Sequence, residues 1–316
     1  MTPFEEVTEP FRRELLAHCY RMLGSRHEAE DLVQETYLRA WRAFDGFEGR
    51  SSVRVWLYRI ATNACLNALA GRRRRVLPSS LDRSAADLQP EWLGPMPDAL
   101  VTPATDDPAA VVASRHDLRL ALIAGLHHLP PRQRAVLILR EVLDIPAAEV
   151  AAMLDTTVAS VKSALQRARA TLSEVAPTAD DVVEPTSPRA RALLAEYVTG
   201  FENADLSALE RALRADAALE VAGSPTWFDG RTTCLAFLAT VLGAPGDWRM
   251  TPTTANNQPA TYTHHQGAPW GLAVLTVTTT GISRLTVFPD PTLVPRPGPT
   301  TRPGGKSTGH APVGRS

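Results

Sequence analysis

The sequence predicts a multidomain protein: two all-α units in series, followed by an α+β unit. Three observations predict it. Apolar residues recur at three- and four-residue spacing over residues 10–71 and again over 107–172. A proline-rich stretch without periodicity lies between these blocks, and beyond residue 188 the helical texture gives way to β-rich sequence. With 316 residues, 44% apolar and 21% charged, the chain exceeds one average domain and has ordinary globular composition.

In the first unit, residues 1–75, Phe11, Leu15, Leu16, Cys19, Tyr20 and Leu23 mark a helix that stops at Gly24 and Ser25. Ser25 with Glu28 is a capping-box pattern. It opens a second helix whose buried stripe reads Ala29, Leu32, Val33, Thr36, Tyr37, Ala40 and Trp41. After a loop over 45–50, a third helix from about Ser52 to Leu69 carries Val53, Trp56, Leu57, Ile60 and Ala64, with Tyr58 on another face. Residues 76–110 contain Pro78, Pro90, Pro95, Pro97, Pro103 and Pro108 and read as a linker.

The second helical unit, residues 111–175, opens with an amphipathic helix at Leu118, Leu122 and Leu126 and breaks at Pro130 and Pro131. A helix through Val136, Leu139 and Val142 follows, and after Pro146 come two short helices joined at Asp155, Thr156 and Thr157. Residues 176–188 form a second, acidic linker. In the α+β unit, 189–291, helices from Arg189 to Asn203 and Leu206 to Arg214 precede strands at Leu272, Val274, Leu275 and Val277, and at Ile282, Leu285, Val287 and Phe288. Residues 292–316, rich in Pro, Gly, Thr and Ser, are expected to be a disordered tail.

A net charge of −1 excludes a protein that holds DNA alone through a broad basic face. Local patches remain: the run Arg72 to Arg75, and Lys162, Arg167 and Arg169 on one predicted helix. Cys19, Cys65 and Cys234 lack metal spacing, which fits a reducing cytoplasm. No apolar run is long enough for a membrane span, and the N-terminus is acidic where a secretory signal would be basic, so a cytoplasmic location without membrane contact is expected. The absence of GxxxxGK[ST], HExxH, GxSxG and dinucleotide fingerprints predicts no enzyme, no cofactor and no metal.

Residues 146–172, PAAEVAAMLDTTVASVKSALQRARATL, have the grammar of a helix-turn-helix. Ala148 is small where two helices would cross; Val150, Met153 and Leu154 are core; Asp155 stands at the turn; Val158, Val161 and Leu165 anchor the second helix. The other face offers Ala159, Ser160, Lys162, Ser163, Gln166, Arg167 and Arg169, short polar groups and long cations that suit base edges and phosphates. A helical hairpin with a solvated basic face is the plainer alternative.

LPPRQRAVLILREVLDIPAAEVAAMLDTTVASVKSALQRAR, Leu129 to Arg169, resembles the sigma-4 domain of extracytoplasmic-function (ECF) sigma factors, which reads the minus-35 promoter element. EAEDLVQETYLRAWRAFDGFEGRSSVRVWLYRIATNACLN, Glu28 to Asn67, resembles their sigma-2 domain. The resemblance implies a sigma factor whose partners are core RNA polymerase, through its beta-prime clamp helices and beta flap, and promoter DNA. It implies that Asp31, Gln34, Glu35 and Arg39 meet the beta-prime coiled coil, and their three-, four- and eight-residue spacing does share one helix side. A solvated face would look the same. It further implies that the segment after the loop melts the minus-10 element, with Arg54, Trp56, Tyr58, Arg59 and Asn63 as candidates. Trp56 has a core alternative, since an aromatic at helical spacing often packs internally. Two departures stand out: Asp155 where the family usually has Gly, and Lys162 where relatives often carry an uncharged residue.

Residues 189–291 resemble the SnoaL-like domain, an α+β cone related to nuclear transport factor 2, through LLAEYVTGFENADLSALERALRADAALEV, WFDGRTTCLAFL, NNQPATYTHHQ and LAVLTVTTTGISRLTVFPDP. This fusion is similar to sigma-G- or sigma-J-like factors. The resemblance implies a pocket, for which Trp227, Asn257, Gln258, Tyr262, His264 and Asp290 are candidates. Adjacent His264 and His265 would point to opposite faces of a strand and form no dyad, so the domain reads as regulatory. A small-molecule ligand or an anti-sigma factor is a further candidate partner. The competing function is a one-component helix-turn-helix regulator with a ligand-binding C-terminal domain; a fused isomerase or cyclase is a third.

Overall fold

The structure, a computed structural model, describes residues 3–49, 51–70, 75–76, 91–102, 118–175, 182–225 and 227–295. The cationic run Arg72 to Arg75, apart from the backbone of Arg75, and the tail beyond residue 295 lie outside the described residues, as do most of the proline-rich linker and the start of the acidic one.

The first unit packs α1 (Pro3–Thr8), α2 (Arg12–Leu23), α3 (Arg26–Ala43) and α4 (Val53–Leu69). Gly24 ends α2 in the left-handed region (φ 68°), and the Ser25 side chain accepts from Glu28 N–H to start α3. Trp41, expected in the buried stripe of α3, is instead 63% exposed. It lies three residues from exposed Leu38 on one helix face, outside the arc occupied by Ala29, Val33, Thr36 and Ala40.

The expected linker is not uniformly loose. Residues Arg75–Val76 (β1) pair in parallel with Glu91–Trp92 (β2), and the chain then runs into the short helix α5 (Asp98–Val101). Leu93, Met96 and Val101 are buried with the helices before and after them, so both helical units share one core. Pro95 and Pro97 fix an extended path through that seam.

The second unit contains α6 (Leu120–Leu126), α7 (Pro131–Leu137) continuing as a π-helical turn over Ile138–Val142, α8 (Ala147–Met153) and α9 (Val158–Val175). Asp155 adopts φ 49° at the α8–α9 turn, a conformation that Asp tolerates better than most side chains. Two details differ from the sequence reading. Ala148 and Val158 face solvent, whereas Ala151 and Val161 are buried. Ala148 sits two residues, about 200° around the helix, from buried Val150 and so turns outward.

In the C-terminal unit, α10 (Pro188–Glu202) and α11 (Leu206–Ala212) precede β3 (Leu213–Val221), β4 (Trp227–Asp229), α12 (Arg231–Val241), β5 (Trp248–Ala255), β6 (Gln258–His265), β7 (Ala268–Thr278) and β8 (Gly281–Phe288). The sheet order is β4-β3-β8-β7-β6-β5, with β3 and β8 parallel and the other neighbours antiparallel. The expected order, helices and then sheet, misses α12, which interrupts the strands. It also misses β3, which begins at Leu213 where helix was expected. One face of the sheet packs on α10 and α12. The opposite face carries Leu272, Val274 and Phe288, and onto it sit Leu293 and, from the second helical unit, Leu120. No described helix is long and apolar enough to cross a membrane.

Candidate nucleic-acid interface

The α8–α9 pair builds one candidate surface. The Thr157 hydroxyl accepts from Ser160 N–H at 3.1 Å and caps α9. Val161 and Ala168 bury one side of α9, and that leaves Ala159, Ser160, Lys162, Ser163, Gln166, Arg167 and Arg169 exposed. Arg169 reaches back to Glu141 at 2.7 Å. Lys162, Gln166 and Arg167 have no such tether among the described residues, so three long side chains project together from one turn and a half of helix.

On α3, Asp31, Gln34 and Arg39 are exposed, and Glu35 is half-buried and bonded to Arg39 at 2.5 Å. Leu38 and Trp41 lie beside them, 56% and 63% exposed. Large apolar groups ringed by charge are the composition of a protein contact. Sequence reading missed both residues because three- and four-residue spacing alone does not say which apolar stripe faces in.

The α4 candidates divide. Arg59 and Asn63 are exposed. Arg54 is half-buried, bonded to Glu14 at 2.8 Å and placed 5.1 Å from the Tyr58 ring. Trp56 packs at 4.8 Å on Phe47, and Tyr58 is fully buried with its hydroxyl donating to Glu14 at 3.1 Å. Their rings serve the core in this arrangement, which for Trp56 is the core alternative that its spacing left open. Burial together with the neighbouring Glu14 carboxylate pushes the Tyr58 hydroxyl well above its usual range.

The candidate pocket residues are not brought together. Tyr262 and His264 line a groove with Pro97, Leu100 and Leu293, between the C-terminal sheet and the first linker. Asp290 caps a short 3-10 turn through Thr292 N–H, and Trp227 lies on the edge strand β4. The sheet's other face lines a half-open, mostly apolar cavity of about 520 Å³ whose walls include Phe201, Phe237, Trp248, Met250 and Trp270. His265 lines that cavity while His264 does not, so the two imidazoles do sit on opposite faces.

Asn257 and Gln258 instead belong to a junction that no sequence pattern announced. Asn256 and Asn257 form the two-residue turn between β5 and β6, both at positive φ (53° and 50°), the backbone of a type I′ hairpin. The turn inserts between the two helical units. Asn256 Oδ1 accepts Met96 N–H at 2.8 Å, its Nδ2 donates to the Tyr20 hydroxyl at 2.7 Å and to Leu118 C=O at 2.8 Å, and its own N–H donates to Met96 C=O at 2.8 Å. Asn257 N–H donates to Asp98 Oδ1 at 2.8 Å, and Gln258 Oε1 accepts Leu120 N–H at 3.1 Å. Nearby, Gly94 N–H donates to Gly24 C=O at 2.9 Å, and a Cβ on Gly24 would lie 2.4 Å from Leu93, so glycine is required twice over. Arg134 of α7 is buried and donates to the carbonyls of Leu126, Leu129 and, across the units, Met22. Burial pulls its pKa down to about 10, which leaves it protonated at neutral pH.

Known proteins match in the same arrangement. Residues 8–75 match the family described as Sigma-70 region 2, and residues 119–172 match Sigma-70, region 4. An ECF RNA polymerase sigma factor of Mycobacterium tuberculosis, SigG, is 46% identical over 308 residues, covering 93% of this chain and 83% of its own. SigW of Bacillus subtilis, also an ECF RNA polymerase sigma factor, is 30% identical over 169 residues, 54% of this chain and 86% of its own. The crystal structure of Mycobacterium tuberculosis SigJ aligns with a TM-score of 0.60 at 22% identity, covering 90% of this chain and 95% of that one, a likeness of fold.

Proposed function

The chain belongs to the ECF RNA polymerase sigma factors, and from that membership we propose how its surfaces divide the work of binding core polymerase and directing promoter-specific initiation. The α9 row Ser160, Lys162, Ser163, Gln166 and Arg167 reads the minus-35 major groove, with Ala159 and Arg169 at its edges. This is supported by the one observation that carries the reading: a capped helix-turn-helix whose second helix buries Val161 and Ala168 on one side and exposes a mostly polar row on the other. Asp31, Gln34, Glu35 and Arg39 meet the polymerase clamp, with Leu38 and Trp41 supplying the apolar centre of the contact. Arg59 and Asn63 touch the minus-10 strand. Arg54 joins them only if its pair with Glu14 opens.

The C-terminal unit is regulatory rather than catalytic, and its device is the Asn256 turn, a clasp that holds both helical units and the linker in one compact state. Promoter elements named for positions about 25 apart are separated by roughly 85 Å along B-DNA. Helical units joined core to core through Arg134 and Met22 must part to span that distance. The clasp therefore opposes initiation, and its release favours it. The protein acts where polymerase does, in the cytoplasm. Run-off transcription with core polymerase is the test: promoter-dependent transcripts are expected only when this chain is added, and their absence on every genomic fragment tried with active core would refute the assignment.

A further inference from the structure

Two of the three cysteines, Cys19 and Cys65, lie side by side in the core beneath the seam, and no surface above uses them. We propose that the pair is an oxidation site for a hydroperoxide, which joins them as a disulfide when the seam opens and thereby loosens the seam further. The gating and its consequence rest on the reading of the Asn256 turn as a clasp; the bond itself does not.

The register of α2 against α4 places the pair. Glu14 meets the Tyr58 hydroxyl and His18 meets Thr62, partners 44 positions apart in both cases, so the two helices run parallel. Cys65 follows one turn beyond Thr62, and its thiol hydrogen-bonds that of Cys19. That bond, and then burial, hold the Cys65 thiol protonated well above its usual range. Cys65 is therefore the donor, and the Cys19 sulfur, which accepts, is the nucleophile. Both are fully buried, and a buried thiol is inert. Much of their cover belongs to the seam: α2 packs on α5, α6 and α7 as well as on α3 and α4, and the Arg134 charge acts on Cys65 across it. Parting the helical units withdraws that cover. Cys234 is in the C-terminal unit with its thiol donating to Ala217 C=O at 3.3 Å, far in the chain from either partner.

The chemistry closes on these two groups and the peroxide. Cys19 Sγ attacks one peroxide oxygen, the O–O bond breaks, and the leaving hydroxide takes the Cys19 proton to depart as water or an alcohol. Cys65 Sγ then attacks the sulfur of the resulting sulfenic acid; the S–O bond breaks, and hydroxide leaves as water with the Cys65 proton. Two thiols are oxidised to one disulfide and the peroxide is reduced. In a reducing compartment such a bond is transient, which suits a sensor. Sulfurs in contact must close to about 2.05 Å, and that draws α2 toward α4. The same stretch of α2 carries Tyr20, bonded to Asn256 and Gly94, and Met22, whose carbonyl accepts Arg134. A shift of this helix misaligns the clasp and the Arg134 contact together.

The test treats the full chain with hydrogen peroxide and follows it by non-reducing peptide mapping, intact mass, and hydrogen exchange over residues 93–101. A peptide linking Cys19 to Cys65 is expected, with loss of the two thiol hydrogens, a free Cys234 thiol, and reversal by dithiothreitol. Asn256→Gly should form the link about a hundredfold or more faster, in proportion to its larger open fraction. Cys65→Ala, in a chain of unchanged circular dichroism, should instead leave a sulfenic acid at Cys19 that dimedone captures. The linked parent should exchange faster over 93–101 than the reduced parent. No Cys19–Cys65 link in either chain, or only links through Cys234 and between molecules, overturns the site. Equal rates of linking, in an Asn256→Gly chain that peroxide-free exchange shows to be open, overturn the gating. A link that leaves exchange unchanged overturns its effect on the seam. If peroxide-free exchange is itself unchanged in Asn256→Gly, the clasp reading fails, while the linked peptide still decides the site.

Discussion

Replacing Asn256 by glycine removes the side chain of the clasp while keeping its backbone, because glycine adopts φ near 53° without strain. Three hydrogen bonds disappear: those with Met96 N–H, the Tyr20 hydroxyl and Leu118 C=O, all around a side chain that is fully buried. A neutral hydrogen bond contributes about 1 kcal/mol net, and a buried partner left unmatched costs about 1–3 kcal/mol. Tyr20 keeps a second bond, from its hydroxyl to Gly94 C=O at 2.8 Å, so its share is at the low end. The total comes to roughly 3–5 kcal/mol. All of it is lost from the compact state and none from the separated one, where these groups meet water. The compact-to-open ratio should fall by about two to nearly four orders of magnitude. Hydrogen exchange by mass spectrometry reads this directly, as faster exchange over 93–101 and 118–123 with unchanged rates in α3 and β7. Run-off transcription from a cognate promoter should rise in parallel. Unchanged protection at Met96 would show that the seam is held by Arg134 and the shared apolar core instead, and the clasp argument would fail.

Trp41→Ala should weaken binding to core polymerase by about 2 kcal/mol, as an exposed aromatic at the centre of a contact does, while the melting curve stays put; a titration with fluorescent chain checks both, and equal affinity would remove Trp41 from the interface. Gln166→Ala should relax base preference at one minus-35 position by about 1–3 kcal/mol. If binding to a set of minus-35 variants changes only in salt dependence, Gln166 touches phosphate. His18, bonded to Thr62 in the core and held down to about 3 by burial and then by the Arg21 charge, stays neutral when folded. The unfolded chain takes up that proton below its ordinary value near 6.5. Stability is therefore full above pH 6.5 and falls as pH drops toward 3, up to about tenfold in the folding constant per pH unit. Urea titrations between pH 6.5 and 5 should show that slope, and it should vanish in His18→Gln.

Periodicity and capping made the helices readable. Leu15, Leu16, Cys19 and Tyr20 are buried together in α2, and Ser25 caps α3. Asp155 occupies the left-handed turn between α8 and α9. These signals are local, since a residue three or four places away supplies most of what decides them. Assignment of individual faces was less legible. Trp41 and Val158 fit an apolar stripe by spacing yet lie exposed, because the stripe that buries is chosen by the neighbouring helix and not by the helix itself. Tyr58, read on a different face from that stripe, is buried for the same reason, while Trp56 is buried as its core alternative allowed.

The sequence by itself determined the order of units, the helix-turn-helix with its polar outer row, and membership in a sigma family, because each depends on runs of residues close together in the chain. Only the tertiary structure decided that Asn256, read merely as part of a β-rich stretch, is the residue on which the linker and both helical units converge. It likewise placed Tyr262 and His264 in an inter-unit groove and Trp248, Met250 and Thr263 around the cavity. The partners of Asn256 lie 138, 160 and 236 positions away. No periodic pattern reaches across such separations. What makes those contacts is the rigid arrangement of cores that are each locally encoded, and a hairpin turn acquires its role only once they are assembled around it.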